Sequence, residues 1–167
     1  EKIYFPHNMD FRGRVYPVTS FSPQGDDLNK GLLSFADVPA CTSEKDIEWF
    51  MVHGANVAGV DKVPFHARIK WVKDHAEQIL ASAADPIGYR WWADQDCPFQ
   101  FLAFCFEYQA LQQHIIDTGS FVGFKTGIPV AFDGTCSGLQ HFSAILRDPI
   151  GGRAVNLIPS DKPQDIY

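Results

Sequence analysis

Residues 98–115 constrain the fold most. Pro98 suits the first turn of a helix. The run behind it puts Phe99, Phe101, Leu102, Ala103, Phe104 and Phe106 on every side of that helix. A helix that is apolar all round must be enclosed by other elements. The rest of the chain can supply that enclosure, because 46% of its 167 residues are hydrophobic and 14% aromatic. Those values also exclude a disordered chain.

Two further helices are predicted around this one. Ser43 caps the first, with Asp46 three residues on, and Ile47, Phe50, Met51, Ala55 and Ala58 recur at helical spacing before Gly59 ends it. Pro64 opens the second, which runs through Ile69, Val72 and Leu80 to Asp85-Pro86. Trp91 and Trp92 fall in a loop. Residues 11–35 read as strands around a turn at Pro23–Asp27, and Ile128–Phe132 reads as a short strand ending at Asp133. Leu139, Phe142, Ile145 and Leu146 mark a last amphipathic helix to Arg147, broken by Gly151-Gly152. Strands, helices, a strand and a helix in this order predict an α+β fold of short strands packed with several helices. Residues 160–167 read as a helix start capped by Asp161. With Glu1 in the first position, they predict an excerpt of a longer protein.

Charge and cysteine usage narrow the function. The net charge is −6, so any contact with nucleic acid needs a local basic patch. No apolar run is long enough to span a bilayer, so no membrane partner is expected. The cysteines at 41, 97, 105 and 136 form no C-x-x-C pair and no zinc spacing, as expected of reduced thiols in a cytoplasmic protein.

Two stretches carry chemistry. In the first, Asp133-Gly134-Thr135-Cys136-Ser137-Gly138, a carboxylate leaves a buried strand. It suits a hard divalent cation, with the Gly134 carbonyl as a second oxygen. At Gly138 no Cβ blocks the approach of a ligand. Spacing alone does not separate this from an Asp-Gly turn or helix cap, the commoner use of the pair. The same residues also match the G-x-C-x-G pattern of a hydrolase elbow with Cys136 as nucleophile. However, the only later histidine is His141, five residues on along the same helix, and it reads first as a core or supporting histidine. In the second stretch, Asp10-Phe11-Arg12-Gly13-Arg14-Val15-Tyr16, strand alternation puts Arg12, Arg14 and Tyr16 on one face as a phosphate-and-base platform. The alternative is an exposed strand whose arginines pair with Asp10, Asp26 or Asp27.

Taken in order, both stretches resemble the single-subunit, phage-type RNA polymerases. Pro6-His7-Asn8-Met9-Asp10-Phe11-Arg12-Gly13-Arg14-Val15-Tyr16 is similar to the palm-entry motif of that family, and Asp133–Phe142 to its motif A. His53-Gly54-Ala55-Asn56, Trp91-Trp92 and Gly152-Arg153-Ala154-Val155-Asn156-Leu157 are similar too. Cys105-Phe106-Glu107-Tyr108 and Ser137 favour the bacteriophage branch.

The resemblance implies a piece of a right-hand polymerase, with residues 1–149 in the palm and 150–167 at the start of the fingers. It implies transfer of ribonucleotides from NTPs to an RNA 3′ end, a double-stranded DNA template, Mg²⁺, and the host bacterial cytoplasm. It further implies that Asp133 and Gly134 hold metal and that Gly138 leaves room for the ribose 2′-hydroxyl. Arg12, Arg14 and Tyr16 would contact template and hybrid, and Ser137 would sit near the RNA 3′ end. The family's fingers lysine and tyrosine, its second metal aspartate and its promoter-reading domain match nothing in the 167 residues. The segment is therefore expected to be inactive without the remaining polymerase domains. The alternative expectation is an inactive relic or an isolated nucleic-acid-binding module.

Overall fold

The computed structural model describes residues 2–131 and 136–166. Strands β1 (His7–Met9) and β2 (Val15–Pro17) form an antiparallel hairpin in which Met9 faces Val15 and His7 faces Pro17. Helices follow: α1 (Asp27–Gly31), α2 (Glu44–Val57), α3 (Phe65–Asp74), α4 (Ala76–Ala84), α5 (Pro98–Thr118), α6 (Ser137–Leu146) and α7 (Pro149–Ala154). A 3-10 turn at Trp91–Asp94 precedes α5. The architecture is mixed and helix-rich, with one small two-stranded sheet among the described residues.

Helix α5 is the centre of the core, as its apolar circumference demands. Phe101, Phe104, Cys105, Tyr108 and Leu111 are buried on it, and α1, α2 and α4 pack around it. Helix α2 contributes Ile47, Phe50, Ala55 and Val57, α3 contributes Val72, and α4 contributes Ile79 and Ala83. Helix α2 begins as expected: Ser43 and Asp46 form a reciprocal capping box, and the Asp46 carboxylate also accepts from the Thr42 amide. These amides hold the Asp46 carboxyl below its ordinary range. Gly119, at φ 76°, closes α5 in the left-handed conformation that glycine adopts without strain.

Five expectations are corrected. Residues 27–31 are a short helix and not a strand, because Asp26 caps it by accepting from the Asn29 amide. Asp27 reaches across 72 residues to accept from the Phe99 amide at 2.6 Å, tying this turn to the start of α5. The helix predicted from Pro64 to Asp85-Pro86 is split at His75. The His75 ring donates to the Trp71 carbonyl at 2.7 Å and stacks against the indoles of Trp71 and Trp91, 4.3 and 5.8 Å away, which lie 6.1 Å from each other. Residues 128–131 form no strand, since no strand among the described residues pairs with them, and Phe132 lies outside the described residues. The break after α6 falls at Arg147, at φ 52°, and Asp148 then caps α7, which contains both Gly151 and Gly152. Finally, residues 159–166 are not helical; Asn156 and Gln164 pair side chain to backbone across them.

One charged group missed by the sequence pattern ties the turn between α2 and α3. Arg68 is buried and donates to the carbonyls of Val63 and Asp61 and to Asn56 Oδ1, at 2.9, 2.6 and 2.7 Å.

His53 on α2 makes stability depend on pH. Burial pushes its pKa down from 6.5 to about 4, because the charged ring loses its hydration there. The unfolded chain binds this proton below about 6.5 and the folded chain only near 4. The contribution is thus present above 6.5 and lost as the pH falls toward 4. The shift corresponds to about 3 kcal/mol. Urea midpoints at pH 7.5 and 4.5 should fall further for the wild type than for His53→Phe. Equal losses would show that His53 does not carry the effect.

Candidate functional site

The hairpin brings the first set of candidate residues together by a different route from strand alternation. Only residues 15–17 of the stretch are strand, and residues 10–14 are its turn. The Asp10 carboxylate organises that turn. Its Oδ1 accepts from the amides of Arg12 and Arg14 at 2.8 and 2.9 Å, and its Oδ2 accepts from Arg12 Nε and Nη2, both at 3.1 Å. Gly13, at φ 82°, lets the chain reverse, and its amide donates to the Asp10 carbonyl. The amide of Arg14, with further help from Arg12 and Gly13, holds the Asp10 carboxyl below its ordinary range.

Arg12 Nη2 also approaches Tyr16 Oη at 3.4 Å, and its guanidinium lies 5.8 Å from the ring centre of the exposed Phe11. Arg12, Tyr16 and Phe11 therefore form one exposed cluster at the hairpin tip. Arg14 is exposed beside them, and its guanidinium makes no hydrogen bond or ion pair among the described residues. The pairing alternative thus holds for Arg12 with Asp10. It does not hold for Asp26 and Asp27, which cap α1 and α5.

The second set sits at the start of α6. Asp133 and Gly134 lie outside the described residues, as does Thr135. Cys136 is the residue before α6 and has φ 52° and ψ 64°. Ser137 and Gly138 are exposed in the first turn, and a Cβ built on Gly138 would meet nothing within 4 Å among the described residues. Helix α6 is tied to the next helix by Gln140, whose Nε2 donates to the Val155 carbonyl at 2.8 Å. His141 is exposed on α6. It lies in the second turn of α6, whereas Cys136 lies outside the helix.

The hairpin and α6 do not touch among the described residues. A cavity of about 450 Å³ is lined by Lys30, His53, Glu107, Ile128, Pro129 and Ala131, among others. Among the described residues no group of three or more histidine, cysteine or acidic side chains could hold a metal. No described helix is long and apolar enough to cross a membrane.

A family model described as DNA-dependent RNA polymerase matches residues 41–167. The chain is 55% identical over 165 residues to the DNA-directed RNA polymerase of Enterobacteria phage T3, covering 99% of the chain and 18% of that protein. To T7 RNA polymerase of Escherichia phage T7 it is 54% identical, with the same coverage. To the mitochondrial DNA-directed RNA polymerase of Schizosaccharomyces pombe it is 41% identical over 169 residues, covering all of the chain and 14% of that protein. The chain thus spans less than a fifth of the length of these relatives and is more similar to the phage enzymes.

Proposed function

Because the chain belongs to the DNA-dependent RNA polymerase family, we propose that it is the palm segment of a template-directed RNA polymerase, with residues 150–167 entering the fingers. The observation that carries this reading is identity of 54–55% to phage RNA polymerases over 99% of the chain. The surface supports it as well. The chain exposes 11079 Å², where a compact monomer of its 18.7 kDa exposes roughly 8,000 Å². Phe142, Ile145 and Ile150 are among the large apolar side chains left open.

The reaction is attack of an RNA 3′-hydroxyl on the α-phosphorus of an NTP. The new O–P bond forms as the bond to the β-phosphate oxygen breaks and pyrophosphate leaves. Asp133 and the Gly134 carbonyl would hold magnesium; carboxylate and carbonyl oxygens are the hard donors this ion takes. When bound, the metal stabilises charge developing on the phosphoryl oxygens. One carboxylate does not complete such a site, so activity requires ligands from the remaining polymerase domains. The open space at Gly138 admits the 2′-hydroxyl of the incoming nucleotide. Ser137 lies beside the RNA 3′ end, and Arg12, Arg14 and Tyr16 on the hairpin face the template strand and the hybrid.

Gly138 gives a selectivity test. Gly138→Glu in the full-length polymerase should lower kcat/KM for ribonucleotides roughly 10- to 100-fold relative to deoxyribonucleotides. Helix α6 should persist, because the new Cβ meets nothing within 4 Å among the described residues. Unchanged discrimination would remove the role assigned to Gly138.

A further inference from the structure

Helix α2 encloses one polar side chain, His53, which is 3% exposed and has no hydrogen-bond partner among the described residues. A buried polar group left without a partner is costly, so its presence points to something that completes it. His53 lines the cavity of about 450 Å³ together with Ile128, Pro129 and Ala131, the segment that leads to Asp133. A void of that size is far larger than the gaps a packed interior keeps. Ala103 and Phe106 of α5 make part of its lining apolar. The two charged side chains on it, Lys30 and Glu107, are of opposite sign. Burial keeps the His53 ring uncharged at neutral pH. The complementary occupant is therefore uncharged and mostly apolar, with one hydroxyl or amide for the imidazole.

The chain covers 18% of its phage relatives, so the rest of the polymerase can supply that occupant. We infer that His53 is a positioning residue: a hydroxyl or amide side chain from the remaining polymerase domains enters the cavity and pairs with its imidazole. That pairing holds residues 128–131, and with them the start of the stretch that carries Asp133. The inference rests on the polymerase reading proposed above and adds how the segment before Asp133 is held.

The test uses the full-length polymerase. His53→Phe keeps the ring bulk and removes both nitrogens, whereas His53→Gln keeps a donor and an acceptor. Hydrogen exchange at the amides of Ile128, Val130 and Ala131 is read without metal or nucleotide. His53→Phe should speed that exchange roughly 10-fold, the effect of one lost hydrogen bond, and His53→Gln should restore it toward wild type. The magnesium concentration for half-maximal extension should rise in His53→Phe and return toward wild type in His53→Gln. Exchange along α2 and affinity for the template should match wild type in both variants.

A residue that only packs α2 would disturb the amides of α2 and of residues 128–131 alike, and glutamine would not rescue it. That result would overturn the assignment, as would wild-type exchange at residues 128–131 in His53→Phe. Either outcome leaves the polymerase reading standing, which falls instead if Asp133→Asn extends RNA at the wild-type rate. If His53→Phe fails to fold, ring-labelled ¹⁵N-histidine in the wild-type polymerase decides. A His53 N–H sheltered by a protein side chain exchanges slowly with water, which is the expected result. Exchange as fast as that of an exposed histidine would show a water-filled cavity and overturn the proposal.

Discussion

In the full-length polymerase, Asp133→Asn should lower the rate of RNA extension roughly 100- to 10,000-fold, the loss expected when several kcal/mol of charge stabilisation disappear from the transition state. The substitution is nearly isosteric and exchanges a negative oxygen for a neutral amide. Binding of template and hybrid, which the proposal assigns to the hairpin, should stay within a few-fold of wild type. Single-turnover extension of an annealed RNA reads the first quantity, and template affinity reads the second. Extension within tenfold of wild type would remove Asp133 from the chemistry. Parallel loss of binding and extension would point to a folding defect, and Asp133→Glu, which keeps the charge, would then separate the two.

The second large effect is at Phe104. Its side chain is fully buried, with ring centres of Phe50, Phe101 and Tyr108 at 4.8, 5.9 and 5.8 Å. Gly54 of α2 lies against its edge so closely that an added Cβ would sit 2.3 Å from Cζ. Phe104→Ala should cost about 3–5 kcal/mol, from lost burial and the cavity left behind. Gly54→Ala alone should cost about 1–3 kcal/mol by overpacking, offset in part by the better helix propensity of alanine. In the Phe104→Ala background, however, the same change fills part of the cavity and should stabilise. Hydrogen exchange at the α5 amides measures these openings as free energies. The same sign for Gly54→Ala in both backgrounds would contradict the packing described for α2 on α5.

Local signals were enough for the elements whose ends are set by nearby residues. Ser43 and Asp46 close a capping box for α2, and Pro98 and Gly119 bracket α5. The apolar circumference of residues 99–106 correctly placed α5 at the centre. Signals that depend on distant partners were not legible. His75 interrupts a continuous helical pattern because Trp91, sixteen residues on, completes its stack. Asp27 is drawn into a helical turn that faces the start of α5. Residues 128–131 have strand composition but pair with no strand among the described residues.

The same division holds for the candidate site. Alternation grouped Arg12, Arg14 and Tyr16, yet it is the Asp10 side chain that builds the turn and joins Arg12 to Tyr16. A carboxylate before a glycine is too common a pair to announce a metal ligand by spacing. Asp133 is singled out by the resemblance of the whole stretch Asp133–Phe142 to motif A and by its order after the hairpin motif, not by the Asp-Gly pair alone.

The central claim is that residue 133 lies at the metal where the transcript is extended. In the full-length polymerase, ferrous iron in place of magnesium, given hydrogen peroxide as oxidant, generates hydroxyl radicals that cut the backbone beside the bound ion. The account predicts a cut among residues 131–138 that requires template and RNA and disappears in Asp133→Asn. Cleavage elsewhere with none in that stretch, or a cut there that survives Asp133→Asn, would contradict it.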